Sequence, residues 1–267
     1  MRTFLKWAGN KQRMVERIVR LLPPGQRLIE PFVGSAALFL NTDYPAYLLT
    51  DSNGDLIDLY RRLQREGRDF IDFCRTLFVA ENNTPDAFYT LRATFNETTD
   101  SRLKSAIFLY LNRHCYNGLC RYNASGGFNV PFGRYKKPYF PQAEMEAFWE
   151  KSQRARFCQA DFATTMQAAQ AGDVIYCDPP YVPLSATAHF TSYSAGGFGF
   201  DQQLALAAAA REAARRGVPV LISNHATPAI EEAYTGATFE RFQVQRYISA
   251  DGDNRGSAAE LLALFLL

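Results

Sequence analysis

Metal-site spacing is missing from this chain of 267 residues. Its five cysteines, Cys74, Cys115, Cys120, Cys158 and Cys177, include no C-x-x-C pair, and His114, His189 and His225 lie far apart. Neither a metal centre nor a disulfide framework is therefore expected. Long hydrophobic runs are also absent: the apolar stretches fall short of the ~20 residues that a membrane-spanning helix needs. The opening MRTFLKWAGNKQRM carries charges where a secretory signal would be apolar, so export is not expected and the cytoplasm is. A charge excess is lacking too, since 29 Lys plus Arg oppose 27 Asp plus Glu for a net +2, and that total gives no hint of a polyanionic partner. At 47% hydrophobic and 21% charged the chain resembles an ordinary globular domain, which excludes extended disorder.

What is present is an alternation of short apolar runs and amphipathic stretches. Residues 27–30, 46–50, 173–177 and 218–223 read as buried strands, and 260–267 as a last buried strand. Helical patterns cover 11–22, stopped by Pro23-Pro24-Gly25, and 201–216, stopped by Gly217. The expectation is an α/β fold: a doubly wound, mostly parallel sheet. Residues 55–145 break the alternation with successive helical segments and a Gly-, Asn- and aromatic-rich stretch. This reads as an inserted, mainly helical domain with a β-hairpin, flanked by catalytic parts at 1–54 and 146–267.

Within the insert, residues 101–143 hold Arg102, Lys104, Arg113, Arg121, Arg134, Lys136 and Lys137 and no acid, so all 27 acids fall elsewhere. Eight aromatic rings are interleaved, from Tyr110 and Tyr116 to Tyr139 and Phe140. A solvated charge run is the usual meaning of such a cluster. Full exclusion of acids, with so many rings, suits phosphate contact and base stacking instead.

The sharpest motif is Asp178-Pro179-Pro180-Tyr181, directly after the strand at 173–177. Ligands meet a doubly wound sheet at such strand ends. Two prolines stiffen the turn and remove two donors, so Asp178 and the Pro179 carbonyl stand as acceptors, and Tyr181 offers a ring face. Two acceptors can grip the two protons of one exocyclic amine, favouring sp³ character and freeing its lone pair. Read alone, D-P-P is a Pro-rich turn; its position and the following Tyr point to catalysis on a base amine.

Further blocks surround it: Phe4-Leu-Lys-Trp-Ala-Gly-Asn-Lys11, Glu30-Pro-Phe-Val-Gly-Ser35, Asp51, the stretch from Leu111 to Asn123, Phe128-Asn-Val-Pro-Phe-Gly-Arg-Tyr135 and Ile222-Ser-Asn-His225. In this order they resemble the DNA adenine methyltransferase family over nearly the whole chain. The resemblance implies a Rossmann-like methyltransferase fold with a target-recognition insert, S-adenosylmethionine as methyl donor, and adenine N6 of double-stranded DNA as acceptor, in the sequence GATC. It also implies a monomer without metal, associated with the nucleoid through DNA.

Physical roles accompany the family pattern. Gly34 lets backbone approach a ligand, and Asp51, about 20 residues after Glu30, stands where doubly wound folds place an acid on ribose hydroxyls. The resemblance adds Trp7, Gly9, Lys11, Glu30, Phe32, Asp161, Phe162 and Asp178 to the cofactor side. The family often has a second Gly where this chain has Ala36. On the DNA side it implies guanine contacts by Arg121 and Lys6, and entry into or support of the duplex by Tyr116 and Asn117. Leu119, Arg134 and Tyr135 would make further base-side contacts, with Arg92 and Asn123 as phosphate clamps. N4-cytosine methylation fits the same acceptors, although Asp at position 178 favours adenine. C5-cytosine chemistry needs a nucleophilic Cys, typically followed by Pro, and no cysteine here precedes one. A DNA-binding regulator without catalysis would require a broken motif, and both motifs are intact.

Overall fold

The structure is a computed structural model and describes residues 1–181, 198–245 and 257–266. Seven strands form one sheet: β1 (Arg27–Glu30), β2 (Ala46–Asp51), β3 (Ala155–Gln159), β4 (Asp173–Cys177), β5 (Val220–His225), β6 (Thr238–Gln245) and β7 (Ser257–Phe265), in the order β3-β2-β1-β4-β5-β7-β6. The pairs β1·β4, β4·β5 and β2·β3 are parallel; β5·β7 and β6·β7 are antiparallel. Every residue of β4 and β5 is buried, which accounts for their near-continuous apolar sequences.

Two differences from the expected elements have local causes. Helix α1 (Val15–Leu21) starts later than 11 because Asn10 caps a 3-10 turn at Lys11–Arg13. Strand β5 begins after Pro219, which has no N–H to give to a ladder, although its carbonyl still accepts from Ile175 at 2.9 Å. Strand β6 has no counterpart among the expected elements; its alternating TFERFQVQ gains its place by pairing along β7.

The chain divides into two compact units, 1–16 with 33–43 and 47–159, and 17–32 with 44–46 and 160–267. In the second unit Arg27 forms a forked ion pair with Asp173 at 2.9 and 2.6 Å, joining the starts of β1 and β4. Helix α8 (Phe162–Gln167) packs on α9 (Phe200–Arg215), and α10 (Pro228–Ala233) follows β5.

In the first unit, besides α2 (Ala37–Asn41), lie five helices: α3 (Gly54–Glu66), α4 (Arg68–Arg75), α5 (Pro85–Glu97), α6 (Ser101–His114) and α7 (Gln142–Ser152). Helix α6 is their centre, packed by α3, α4 and α5 and buried continuously from Ser105 to Asn112. A helix apolar on all sides must sit inside its neighbours. After α6 the expected hairpin is short: an antiparallel bridge joins Tyr122 to Phe128, closed by Asn123 N–H to Gly127 O at 2.9 Å and Asn129 N–H to Arg121 O at 3.1 Å.

Candidate active site

Strands β1 and β4 are neighbours, while the strands that follow each in sequence lie on opposite sides of the pair. This is the topological switch point, where α/β folds bind ligands beyond the carboxyl ends of the strands. Asp178-Pro179-Pro180-Tyr181 leaves the end of β4 there. The Ser223 hydroxyl donates to Asp178 Oδ1 at 3.0 Å and receives the Tyr176 hydroxyl at 3.1 Å. Gln203 Nε2 donates to the Pro180 carbonyl at 2.9 Å. The Tyr181 hydroxyl reaches Glu260 Oε2 at 3.3 Å, and its ring meets His225 edge-on at 4.5 Å between centroids. Burial pushes both the Tyr176 and the Tyr181 phenols well up, so both remain protonated donors at neutral pH.

Three rings gather in the same unit. Phe32, just after β1, stacks on Phe162 at 5.6 Å and 23°, and Phe198 meets both edge-on at 5.5 and 5.7 Å. Asp161 is committed to capping α8: it accepts from the Thr164 N–H at 2.8 Å and the Thr164 hydroxyl at 2.9 Å, and the backbone bond chiefly holds its pKa down. Glu30 is buried at the end of β1.

In the first unit, Gly34 adopts φ +45°, and a Cβ there would lie 2.8 Å from Trp7 Nε1. Its N–H donates to Asp51 Oδ2 at 3.1 Å, while its carbonyl accepts the Tyr60 hydroxyl at 2.5 Å. Asp51 also accepts from the Asn53 N–H at 3.0 Å. Burial raises the Asp51 pKa against these opposing hydrogen bonds. Lys11, itself buried, donates through Nζ to the carbonyl of Gly9 at 3.0 Å; Gly9 has φ +75°. A backbone cradle that a single Cβ would fill, beside a fixed, desolvated carboxylate, fits a nucleoside-bearing cofactor.

The basic residues of the acid-free stretch 101–143 fall into two kinds. Arg102 and Lys104 pair with acids of α3, at 2.6 Å to Glu66 and 3.1 Å to Asp55, and Arg113 donates to the Tyr139 carbonyl at 3.0 Å. Arg121, Arg134, Lys136 and Lys137 are exposed. The aromatic reading narrows likewise: Tyr110 and Phe128 are core, and Tyr122 donates to Asp55 at 2.7 Å, whereas Tyr116 is 53% exposed. Lys6 joins this unit. Its backbone N–H and carbonyl bond the Asn112 side chain at 2.9 and 2.7 Å, and its Nζ lies 3.8 Å from the centre of the Tyr135 ring. Tyr135 in turn accepts the Asn117 N–H at 3.1 Å. Asn129 braces Arg121, taking Nε at 2.8 Å on its side chain and an Nη at 3.3 Å on its carbonyl. Arg92 donates to the Val130 carbonyl at 3.1 Å, and Asn123 Oδ1 accepts from Ser125 and Gly127, so both side chains already shape the loop. Leu119 is half-buried.

The model of the D12 class of N6 adenine-specific DNA methyltransferases matches residues 7–248. The chain belongs to this family. It is 51% identical over 265 residues to a DNA adenine methylase of Vibrio cholerae serotype O1 (strain ATCC 39541 / Classical Ogawa 395 / O395), covering 99% of this chain and 96% of the relative. The DNA adenine methylase of Serratia marcescens is 52% identical over 265 residues, covering 99% and 98% of the two chains. That of Escherichia coli (strain K12) is 49% identical over 264 residues, covering 99% and 95%. The protein is thus an S-adenosylmethionine-dependent DNA adenine methyltransferase.

Sequence reasoning missed several of this methyltransferase's supporting residues. Ser223 and Asn224 stand in the Ile222-Ser-Asn-His225 block of the family pattern, but no role follows for them from sequence, and Gln203 on the Ala-rich α9 and Glu260 on β7 have no signal at all. The departure at Ala36 is now specific: this residue is fully buried with φ 60°, in the left-handed region where Gly is at ease. The thiols suit a methyltransferase without a cysteine nucleophile. Burial raises Cys115 to about 12 and Cys120 to about 11, and pushes Cys177 up as well.

Proposed function

We propose that the methyltransferase acts on adenine in GATC of double-stranded DNA by extruding the base and transferring the methyl group directly to N6. The observation that carries this reading is the Asp-Pro-Pro-Tyr turn at the β1/β4 switch point, with the Asp178 carboxylate fixed by Ser223. Asp178 Oδ and the Pro179 carbonyl accept the two N6 protons, while Tyr181 packs against the base and Pro180 stiffens the turn. The bound S-adenosylmethionine supplies an electrophilic methyl group on a sulfonium. Lone-pair attack by N6 makes the N–C bond as the C–S bond breaks, and an N6 proton is lost afterwards, so no protein nucleophile is consumed. Extrusion costs about a few kcal/mol, which phosphate and base contacts offset.

On this reading Trp7, Gly9, Lys11, Glu30, Phe32, Gly34, Asp51, Asp161, Phe162 and Asp178 serve the cofactor. Residues 55–145 form the target-recognition part. Arg121 and Lys6 read guanine; Tyr116 and Asn117 act where the base leaves; Leu119, Arg134 and Tyr135 support the base side; Arg92 and Asn123 meet phosphates. The exposure of Tyr116 and the braced guanidinium of Arg121 support this assignment. We further propose that the enzyme works as a metal-free monomer in the cytoplasm, on nucleoid DNA. Methylation of a mixed duplex library, followed by sequencing and nucleoside analysis of modified positions, tests base, atom and site together. Modification spread over unrelated sequences, or N4-methylcytosine in the product, would overturn it.

A further inference from the structure

Strand β5 ends in Ser223-Asn224-His225, and successive strand residues face opposite sides of a sheet. Ser223 and Asn224 each join a buried chain of hydrogen bonds that ends on the Asp-Pro-Pro-Tyr turn. On one side the Tyr176 hydroxyl donates to Ser223 at 3.1 Å and Ser223 donates to the Asp178 carboxylate at 3.0 Å. On the other, Asn224 Nδ2 and the Tyr234 hydroxyl donate to Gln203 Oε1 at 2.9 and 2.7 Å, and Gln203 Nε2 donates to the Pro180 carbonyl at 2.9 Å. Ser223, Asn224, Gln203 and Tyr234 are each fully buried. The Asn224 amide is itself fixed, because its Oδ1 accepts the His225 N–H at 2.8 Å. With both lone-pair directions of Gln203 Oε1 taken, its amide orientation is determined and Nε2 must face Pro180.

We infer that Ser223 and Gln203 are positioning residues for methyl transfer: together they fix the Asp178 carboxylate and the backbone of the turn, so that the carboxylate and the Pro179 carbonyl stand at the right angle to one amine. The inference rests on the proposed acceptor role of Asp178. Both residues act through others and touch neither substrate nor cofactor. Two acceptors must converge on one nitrogen, and a hydroxyl bonding one carboxylate oxygen removes the rotation that would misdirect the other.

The test uses the full chain with S-adenosylmethionine and a duplex that the unaltered enzyme methylates. Ser223→Ala should lower the single-turnover rate about tenfold or more, the effect of one hydrogen bond to a charged group, while DNA and cofactor KM stay near those of the parent and Tm falls by only a few degrees as the Tyr176 hydroxyl loses its acceptor. Ser223→Thr keeps the hydroxyl on a strand position and should recover most of the rate; Ser223→Cys, close in shape but a weaker donor, should fall between. Gln203→Met should also lower the rate at unchanged KM. An undiminished rate in a folded Ser223→Ala protein overturns the inference, as does a loss confined to KM or one that Thr does not restore. Asp178→Ala, which removes the side-chain acceptor, is measured in parallel. If that variant is inactive while the Ser223 variants are normal, only the positioning inference fails; if it is fully active, the acceptor reading fails with it.

Discussion

The backbone N–H of Gly34 donates to the Asp51 carboxylate at 3.1 Å, so a turn glycine and a strand-end acid are held as one rigid group. A Cβ at Gly34 would meet the Trp7 indole at 2.8 Å, on a backbone at φ +45°. Gly34→Ala is expected to weaken S-adenosylmethionine binding by about tenfold or more, measured by calorimetric titration of folded protein. Unchanged affinity would show that this cradle does not serve the cofactor.

Ala36 sits in the left-handed region at φ 60°, without glycine's freedom. Ala36→Gly should relieve strain of about 1 kcal/mol, which the loss of a fully buried methyl and the more flexible unfolded chain together offset. The expected result is a Tm within about 2 °C of the parent in a thermal melt. A Tm lower by more than about 4 °C, as for a buried Ala→Gly change with no strain to relieve, would contradict a left-handed backbone at this position.

Asp178→Ala removes one of the two proposed acceptors but none of the basic side chains of residues 101–143. Transfer of labelled methyl groups should fall below detection while DNA affinity in a gel-shift titration stays within about twofold. Appreciable turnover by this variant refutes the acceptor role.

Arg121 and Lys104 are both basic residues of one acid-free stretch, yet Asn129 braces an exposed Arg121 whereas Asp55 pairs Lys104 at 3.1 Å. Arg121→Ala should relax base discrimination by about 1–3 kcal/mol, read as methylation rates on duplexes altered at single positions. Lys104→Ala should leave discrimination and the salt dependence of DNA binding nearly unchanged. Equal effects of the two would undo the division into structural and DNA-facing cations.

His114 is buried against Tyr110, with ring centroids 3.9 Å apart and Nδ1 2.8 Å from the Tyr110 carbonyl, and burial lowers its pKa to about 4. Its folded pKa lies below its unfolded value, so the unfolded chain binds the proton more readily. The stability gained from neutral His114 is complete above about pH 6.5 and is lost as the pH falls towards about 4, by up to about 3 kcal/mol. Urea denaturation between pH 7 and pH 4.5 should show this loss, and His114→Gln should flatten it. A slope unaltered by that substitution would assign the acid sensitivity to other groups.

Much of the fold is legible in the sequence because buried parallel strands write themselves as apolar runs: β4 and β1 stand at the bounds that their runs predict. The alternating β6 is less visible, since its partner β7 is distant in sequence and pairing rather than composition makes it a strand. The basic cluster is legible as a cluster and misleading in detail. Spacing shows which side chains are cationic, but only helix packing decides that Arg102 and Lys104 turn to acids of α3 while Lys136 and Lys137 face solvent.

By itself the sequence determined the chemistry on offer: a stiff Asp-Pro-Pro-Tyr turn after a buried strand, a glycine and a strand-end acid, a basic, acid-free stretch and no metal-type cysteine spacing. These are local properties, set by backbone restriction and side-chain type. The tertiary structure decided which groups orient that chemistry. Ser223, Gln203 and Glu260 lie 45, 23 and 79 residues from the turn residues they bond. No local pattern predicts such contacts, because they exist only once neighbouring strands and a packed helix bring distant polar groups into a dry interior where each must find a partner.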